Sequence, residues 1–393
     1  LDWSSMALSR VDALDPVELL ERLVRIDSVN ASMGGGGERA MAEAVADILE
    51  TIGCEVQVHE VPSADRPNVV AKLPGRETGR VLLFEAHLDT VALPREPQPI
   101  RRDGGRLYAR GACDTKGAMA SMLAALSRLA GTPDRPTVVF AGVSDEEAAM
   151  SGSRALLEQL PPVGGAIVGE PTSLRPVRVH NGMMRFRAVA RGRAAHTSRA
   201  QLGVNAIAAA SRLVLAIQDE LLPTLQQRAH PLAGPALITA AMIDGGVAPN
   251  LVPERCTIHV DRRLAPGEDP AAALAEVDEL IAVARERGDD VSREEPFILL
   301  PAVETSADHP LVTDAELVAA AELGHSVVAG GVPYGTDASN LSGVGAIPCV
   351  VLGPGSIDQA HSDEEWVDLG EVMAAGRIYE SMVLAGFGSE STT

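Results

Sequence analysis

At 393 residues the chain is long for a single hydrophobic core, so two domains are expected. Hydrophobic residues make up 46% and aromatics 3%, and no run approaches the ~20 apolar residues that span a bilayer, which excludes a transmembrane or a disordered chain. With 33 Lys and Arg against 54 Asp and Glu the net charge is −21, which excludes phosphate-backbone binding and adhesion to anionic membranes.

Asp15, Pro16 and apolar residues at helical spacing predict a first helix over 15–26. The tetraglycine Gly34 to Gly37 lacks the Gly-Lys-Ser/Thr context of a phosphate loop and reads as a flexible linker. A helix over 38–52 stopped by Gly53 follows, then strands at 55–61, 69–72 and 80–86, a helix at 116–130, a strand at 137–143, a helix at 153–160 and a strand at 165–169. That alternation predicts an α/β fold, a mixed sheet with helices on both faces.

The middle segment changes rhythm. It reads as strand 178–190, helix 203–218, strands 236–243 and 255–263, helix 270–287 and strand 290–295, the βαββαβ order of a ferredoxin-like unit. Its charge changes too, with 12 Lys and Arg against 13 Asp and Glu over 179–291. A helix at 311–323, a strand at 347–352 and a helix at 370–384 then resume the first style. The expected organisation is a discontinuous catalytic domain, 1–177 and 293–393, interrupted by an inserted α+β lid, 178–292.

In open α/β sheets, reactive groups collect just beyond strand ends. His87, Glu146 and Glu170 each stand there, after different apolar strands. In His87-Leu-Asp89, residues two apart face the same way, so Asp89 can accept a hydrogen bond from the ring nitrogen that does not bind metal. A satisfied strand-end His is the structural alternative. Asp114, in a Gly-rich turn before a helix, is an N-cap or a carboxylate bridging two ions. Ser144 and Glu147 have capping-box spacing, but adjacent Glu146 and Glu147 point apart, so one can bind metal while the other takes a proton. Glu170 and His361 read alone as a turn acid and a surface His. Together the residues form a dispersed nitrogen and carboxylate set suited to two zinc-like ions. Two divalent ions against Asp114, Glu147, Glu170 and a bridging hydroxide sum to zero charge, so such a site can be buried.

Cys54, Cys113, Cys256 and Cys349 are widely spaced, with no C-x-x-C pair, and signal neither a disulfide framework nor a cysteine metal site. The start Leu1 to Ser5 lacks the features of a secretory signal, so a cytoplasmic location is expected. No G-x-S-x-G elbow supports a serine hydrolase.

These motifs resemble the M20 metallopeptidase family, particularly its acetylornithine deacetylase and succinyl-diaminopimelate desuccinylase branch. The matching stretches are Ala86 to Thr90, Leu107 to Gly117, Asp145 to Glu147, Val168 to Thr172, Ala195 to Thr197, Ala248 to Asn250, Tyr334 to Asp337 and Gly353 to His361, in order over nearly the whole chain. The resemblance implies that His87, Asp114 and Glu170 hold one zinc while Asp114, Glu147 and His361 hold the other, with cobalt or manganese as alternative ions. It makes Glu146 the general base that activates a dizinc-bound water, makes Asp89 the partner of His87, and implies a cis peptide after Asp114. It also implies a homodimer through the lid, with His196 reaching the partner's active site to stabilise the oxyanion. Asn250, Arg262, Gly335 and Thr336 match substrate-contacting positions, Arg262 as a carboxylate fork. The implied activity is removal of an acyl group from an N-acyl amino acid, acetylornithine-like, in amino-acid biosynthesis. The alternatives are a desuccinylase, an M20 carboxypeptidase or dipeptidase, and a catalytically silent binding protein on the same scaffold. Phe84-Glu-Ala86 and the Trp-less segment Val91 to Arg102 depart from the family pattern in the pocket wall.

Overall fold

The computed structural model describes residues 13–76, 81–92, 99–132 and 134–386. The start Leu1 to Ser5, residue 80 of the expected 80–86 strand and part of the Val91 to Arg102 segment lie outside the described residues. Two compact units form. The first comprises Leu1–Arg178, Thr305–Gly330 and Thr336–Thr393, and the second Val179–Glu304 with Gly331–Gly335.

In the first unit, helix α1 (Pro16–Leu23) starts where Asp15 Oδ1 accepts the Val17 and Glu18 amides, and α2 (Arg39–Ile52) ends at Gly53 with φ +92°. The segment read as a flexible linker between them is packed. A Cβ on Gly35 would lie 2.0 Å from the Val29 carbonyl oxygen, and Gly37, at φ +82°, donates its amide to that same oxygen. Strands β1 (Glu55–Ser63), β2 (Arg66–Leu73) and β3 (Leu82–His87) follow. Then come the short β4 (Arg101–Asp103) and β5 (Arg106–Tyr108), α3 (Lys116–Ala130), β6 (Val138–Val143), α4 (Ser151–Leu156), β7 (Gly165–Val168) and β8 (Val177–His180).

The strand expected over 178–190 is two strands. It breaks at Asn181, whose amide turns to the Ala233 carbonyl, and resumes in the second unit's sheet as β9 (Gly182–Arg191). That sheet runs β10-β11-β9-β12 with β10 (Leu237–Gly245), β11 (Arg255–Leu264) and β12 (Asp290–Arg293), antiparallel throughout. Helices α5 (Ala206–Ala216) and α6 (Pro270–Glu286) cover it over a core that includes Phe186, Leu213, Ile258, Val260 and Val277.

Back in the first unit, α7 (Pro310–Leu323), β13 (Cys349–Val351), β14 (Trp366–Asp368) and α8 (Leu369–Ala385) complete the chain. The main sheet is mixed, β1-β2-β6-β3-β7-β13 and then the start of β8, with β6, β3, β7 and β13 parallel. Strands β3, β6 and β7 are buried at every residue, as central parallel strands should be; β6 and β7 read as unbroken apolar runs for that reason, and β3 as one interrupted by Glu85. Their C-terminal ends deliver His87, Glu146 and Glu170. A small sheet, β14-β5-β4, escaped the sequence reading because its strands are three residues long and mostly polar.

Candidate metal centre

His87, the last residue of β3, points Nε2 at Asp114 Oδ1 across 2.9 Å and lies 3.9 Å from Glu170 Oε1. The other oxygen of Asp114, Oδ2, stands 3.2 Å from His361 Nε2, which is also 3.0 Å from Glu147 Oε2. Asp114 therefore lies between two imidazoles, one oxygen toward each, on the turn that leads into α3. The peptide joining Asp114 to Thr115 is cis. His361 sits on the loop after β13 with φ +57°, a left-handed conformation uncommon for a side chain of its size. The two adjacent glutamates diverge: Glu147 clusters with His87 and Asp114, Glu146 with His87 and Glu170.

What turns them apart is Asp89. Its carboxylate accepts the amides of Glu146 and Glu147, each at 3.1 Å, and the side-chain amide of Asn30 at 2.8 Å. The expected carboxylate to imidazole bond is replaced by a bond to the backbone. His87 Nδ1 meets the Asp89 carbonyl at 3.0 Å, while the carboxylate oxygen is 3.6 Å away. Asp89 thus orients His87 with its main chain and fixes the double-glutamate turn with its side chain. Asn30 ties the same turn to Asp145, which sits at φ +69° and also pairs with Arg66 at 2.7 Å. Ser144 bonds to Arg66 and Asn68 and caps no helix here.

Burial raises the carboxyls of Glu146, Glu147 and Glu170, and negative neighbours, Glu170 against Glu146 and Asp114 against the other two, raise them further. Asp114 is held below the usual carboxylate range in spite of burial, by hydrogen bonds from His361 and His87. Asp114 and Glu147, by their hydrogen bonds and charge, push His361 up to about 10. Four carboxylates and two imidazoles converging in one buried site suit bound cations. The donor set is nitrogen and oxygen, as zinc takes at ~2.0–2.2 Å, and donors sharing a tetrahedral ion stand ~3.4 Å apart. Separations of 2.9–3.9 Å fit that requirement.

The model of peptidase family M20/M25/M40 matches residues 83–385, which span His87, Asp114, Glu146, Glu147, Glu170 and His361. The chain belongs to this family. It is 31% identical over 371 residues to an acetylornithine deacetylase of Vibrio cholerae serotype O1, covering 89% of this chain and 93% of that one. A tripeptidase of Staphylococcus aureus superposes with a TM-score of 0.78 at 22% identity, over 96% of this chain and all of that one. A dinuclear-metal-binding M20 peptidase of Bacillus subtilis superposes at 0.71 and 20% identity, over 94% and 97%. This M20 chain is a metal-dependent hydrolase.

Several residues that hold the M20 site in place carry no local sequence signal. Glu365, 1% exposed, accepts four hydrogen bonds, from the amides of Gly111, Cys113 and Asp114 and from Arg110 Nη1 at 2.7 Å. It clamps the turn that carries Asp114 from 251 residues away. Glu365→Ala leaves those buried amides and the guanidinium without an acceptor, at ~1–3 kcal/mol for each such group. The expected result is a protein that unfolds at distinctly lower denaturant and binds metal more weakly, with Glu365→Gln intermediate. Unchanged midpoints in a urea titration would remove Glu365 from this role. The departure at Glu85 also reaches the site: the residue is 1% exposed, raised by burial and then by Asp337 and Glu170, and Asp337 is itself pushed up to about 7 by burial.

The expected substrate contacts fare unevenly. Arg262 is 0% exposed, and its guanidinium is ion-paired with Glu276 Oε2 at 2.7 Å and hydrogen-bonded to Glu268 Oε1 at 3.3 Å and the Ala273 carbonyl at 2.9 Å. It is a core strut of the second unit and no fork for a substrate carboxylate. The strand period explains this, since Arg262 is in phase with buried Cys256, Ile258, Val260 and Leu264. His196 and Asn250 are exposed in the second unit. Gly335 is half-buried in that unit, and Thr336 is buried in the first, its hydroxyl accepting the Ala338 amide.

Proposed function

We propose that the protein hydrolyses the amide of an N-acyl amino acid, with an acetylornithine-like substrate favoured and zinc as the ion. His87, Asp114 and Glu170 would hold one ion, and Asp114, Glu147 and His361 the other. Bound there, the two ions supply Lewis acidity toward the amide carbonyl and an acidified water. Glu146 takes the proton from that water and returns it to the leaving amine nitrogen. Its carboxyl suits the task because burial raises its proton affinity above that of an ordinary carboxylate. The observation that carries this reading is the split of the adjacent glutamates, Glu147 toward Asp114 and Glu146 toward Glu170, which gives the two acids different surroundings and so room for different tasks. The deacetylase relative at 31% identity supports the substrate class. Asn250, Gly335 and Thr336 are proposed substrate contacts.

The proposed assembly is a homodimer through the lid, the inserted segment around the second unit. Strand β10 is the edge of that unit's sheet and exposes Met242 and Ile243, beside Val247 at 87% exposure. His196 accepts the Ser198 amide at Nδ1, which puts the proton of a neutral ring on Nε2, the form that donates to an oxyanion. If His196 serves the partner's site, mixing inactive Glu146→Gln and His196→Ala chains should restore up to about a quarter of wild-type activity. No recovery after subunit exchange would place His196 outside catalysis. A cytoplasmic setting belongs to the same reading, in keeping with four free cysteines.

The substrate reading is tested with purified, zinc- or cobalt-loaded protein on acetylornithine, succinyl-diaminopimelate, other acetyl-amino acids and dipeptides. The highest kcat/KM is expected on acetylornithine. Preference for dipeptides would move the assignment to the peptidase side of the family, and cleavage of none would withdraw it.

A further inference from the structure

Asp145, the residue immediately before the two glutamates, is 3% exposed and stands at φ +69°, a left-handed conformation that a residue with a side chain keeps only where its surroundings hold it. Here they hold it through every polar atom it has. Its amide donates to Glu38 Oε1 at 3.1 Å, and its Oδ1 accepts from Arg66 Nη1 at 2.7 Å and from Asn30 Nδ2 at 3.1 Å. Its Oδ2 accepts the Ser151 hydroxyl, and its carbonyl accepts the amides of Ala149 at 3.2 Å and Met150 at 2.6 Å. The partners of the amide and of Oδ1 come from 79, 107 and 115 residues earlier in the chain.

Glu38 is the least expected of these partners. It precedes α2 and is 0% exposed, yet its side chain makes no cap bond to that helix. Its Oε2 accepts no hydrogen bond among the described residues, so the Asp145 amide is the polar group that its carboxyl serves. Burial and the charge of Asp89 push that carboxyl up to about 8, which makes the uncharged amide of a glutamine a close substitute near neutral pH. Arg66 grips the same residue from the other side, ion-paired to its carboxylate.

The double-glutamate turn is thus held at both ends. Asp89 takes the amides of Glu146 and Glu147, and Glu38 and Arg66 fix the bend that leads into them. We propose that Glu38 and Arg66 are positioning residues for Glu146: by gripping Asp145 at its amide and its carboxylate, they lock the left-handed bend that aims the Glu146 carboxyl toward His87 and Glu170. The inference rests on the proposed role of Glu146 as the base.

The test uses full-length protein with zinc in excess and whichever of the amides named above it cleaves fastest. Glu38→Met fills the space of the glutamate but offers the Asp145 amide no oxygen, and should lower kcat by about 10- to 100-fold, as a small misplacement of a reacting group does. KM and bound zinc should change little. Glu38→Gln retains an acceptor and should stay near wild type. In a Glu146→Gln background the Glu38→Met change should cost about twofold or less, because a residue that acts through the base has nothing left to position. Arg66→Gln, whose side chain is 27% exposed in the native protein, gives the same comparison should Glu38→Met fail to fold. Losses of equal size in both backgrounds, or a Glu38→Gln enzyme as impaired as Glu38→Met, would overturn the proposal and leave Glu146 as the base. A Glu146→Gln enzyme with wild-type turnover, or cleavage of none of the amides, would end the reading of Glu146 as base and this proposal with it.

Discussion

Glu146→Gln is expected to keep its metal and lower kcat by about 10²- to 10⁴-fold, the range that a positioned general base contributes. The substitution preserves side-chain length, and the backbone amide of residue 146 keeps its bond to Asp89 Oδ1, so the turn that places Glu147 is undisturbed. What is lost is a carboxylate that can accept a proton and give it back. Substrate binding does not require that exchange, so KM should change little while kcat collapses. Glu147→Gln should behave differently: Glu147 faces His361 and Asp114, and its replacement should lower metal occupancy first and activity as a consequence. Atomic absorption and steady-state kinetics on the two variants separate the roles. A Glu146→Gln enzyme within tenfold of wild type would end the case for Glu146 as the base.

The contrast between these neighbours shows where sequence reading succeeds and where it stops. His87, Glu146 and Glu170 were legible because largely apolar runs mark parallel strands buried on both faces, and residues at or just beyond the ends of such strands lie at the sheet's reactive edge. Asp89 was legible as a partner of His87, yet its carboxylate serves the amides of Glu146 and Glu147. The choice between a ring nitrogen and two amides depends on how β3 and β6 pair, which no local spacing encodes. Asn30 and Glu365 are further from view, reaching Asp89 and Asp114 across 59 and 251 residues. Arg262 is the opposite case, because its inward phase was readable from alternation with Ile258, Val260 and Leu264. The ferredoxin-like βαββαβ order was legible from element spacing, but the break at Asn181 was not, since the apolar pattern continues from one sheet into another.

Chelation should destabilise the protein and reverse its response to pH. At a free metal concentration about a thousandfold above Kd, binding adds ~4.1 kcal/mol per site, so stripping the metal should lower the unfolding midpoint by several degrees. The metal-free protein should then gain stability as pH falls from 8 toward 6. His361 is raised from 6.5 to about 10 by Asp114 and Glu147, so its contribution is complete below 6.5 and is lost as pH rises through 10. The raised carboxyls of Glu147 and Glu170 act in the same direction, because burial and nearby charge make the folded state bind their protons more tightly than the unfolded chain does. Asp114, held low, opposes this only below its ordinary value near 3.8. The metal-loaded protein should run the other way, since protons compete with the ion for the imidazoles and carboxylates and weaken its binding as pH falls. Thermal unfolding of both forms at pH 6 and 8 therefore gives slopes of opposite sign. Parallel slopes, or a midpoint unmoved by chelator, would mean that the carboxylate cluster folds without help from metal, and the two-ion assignment would have to be abandoned.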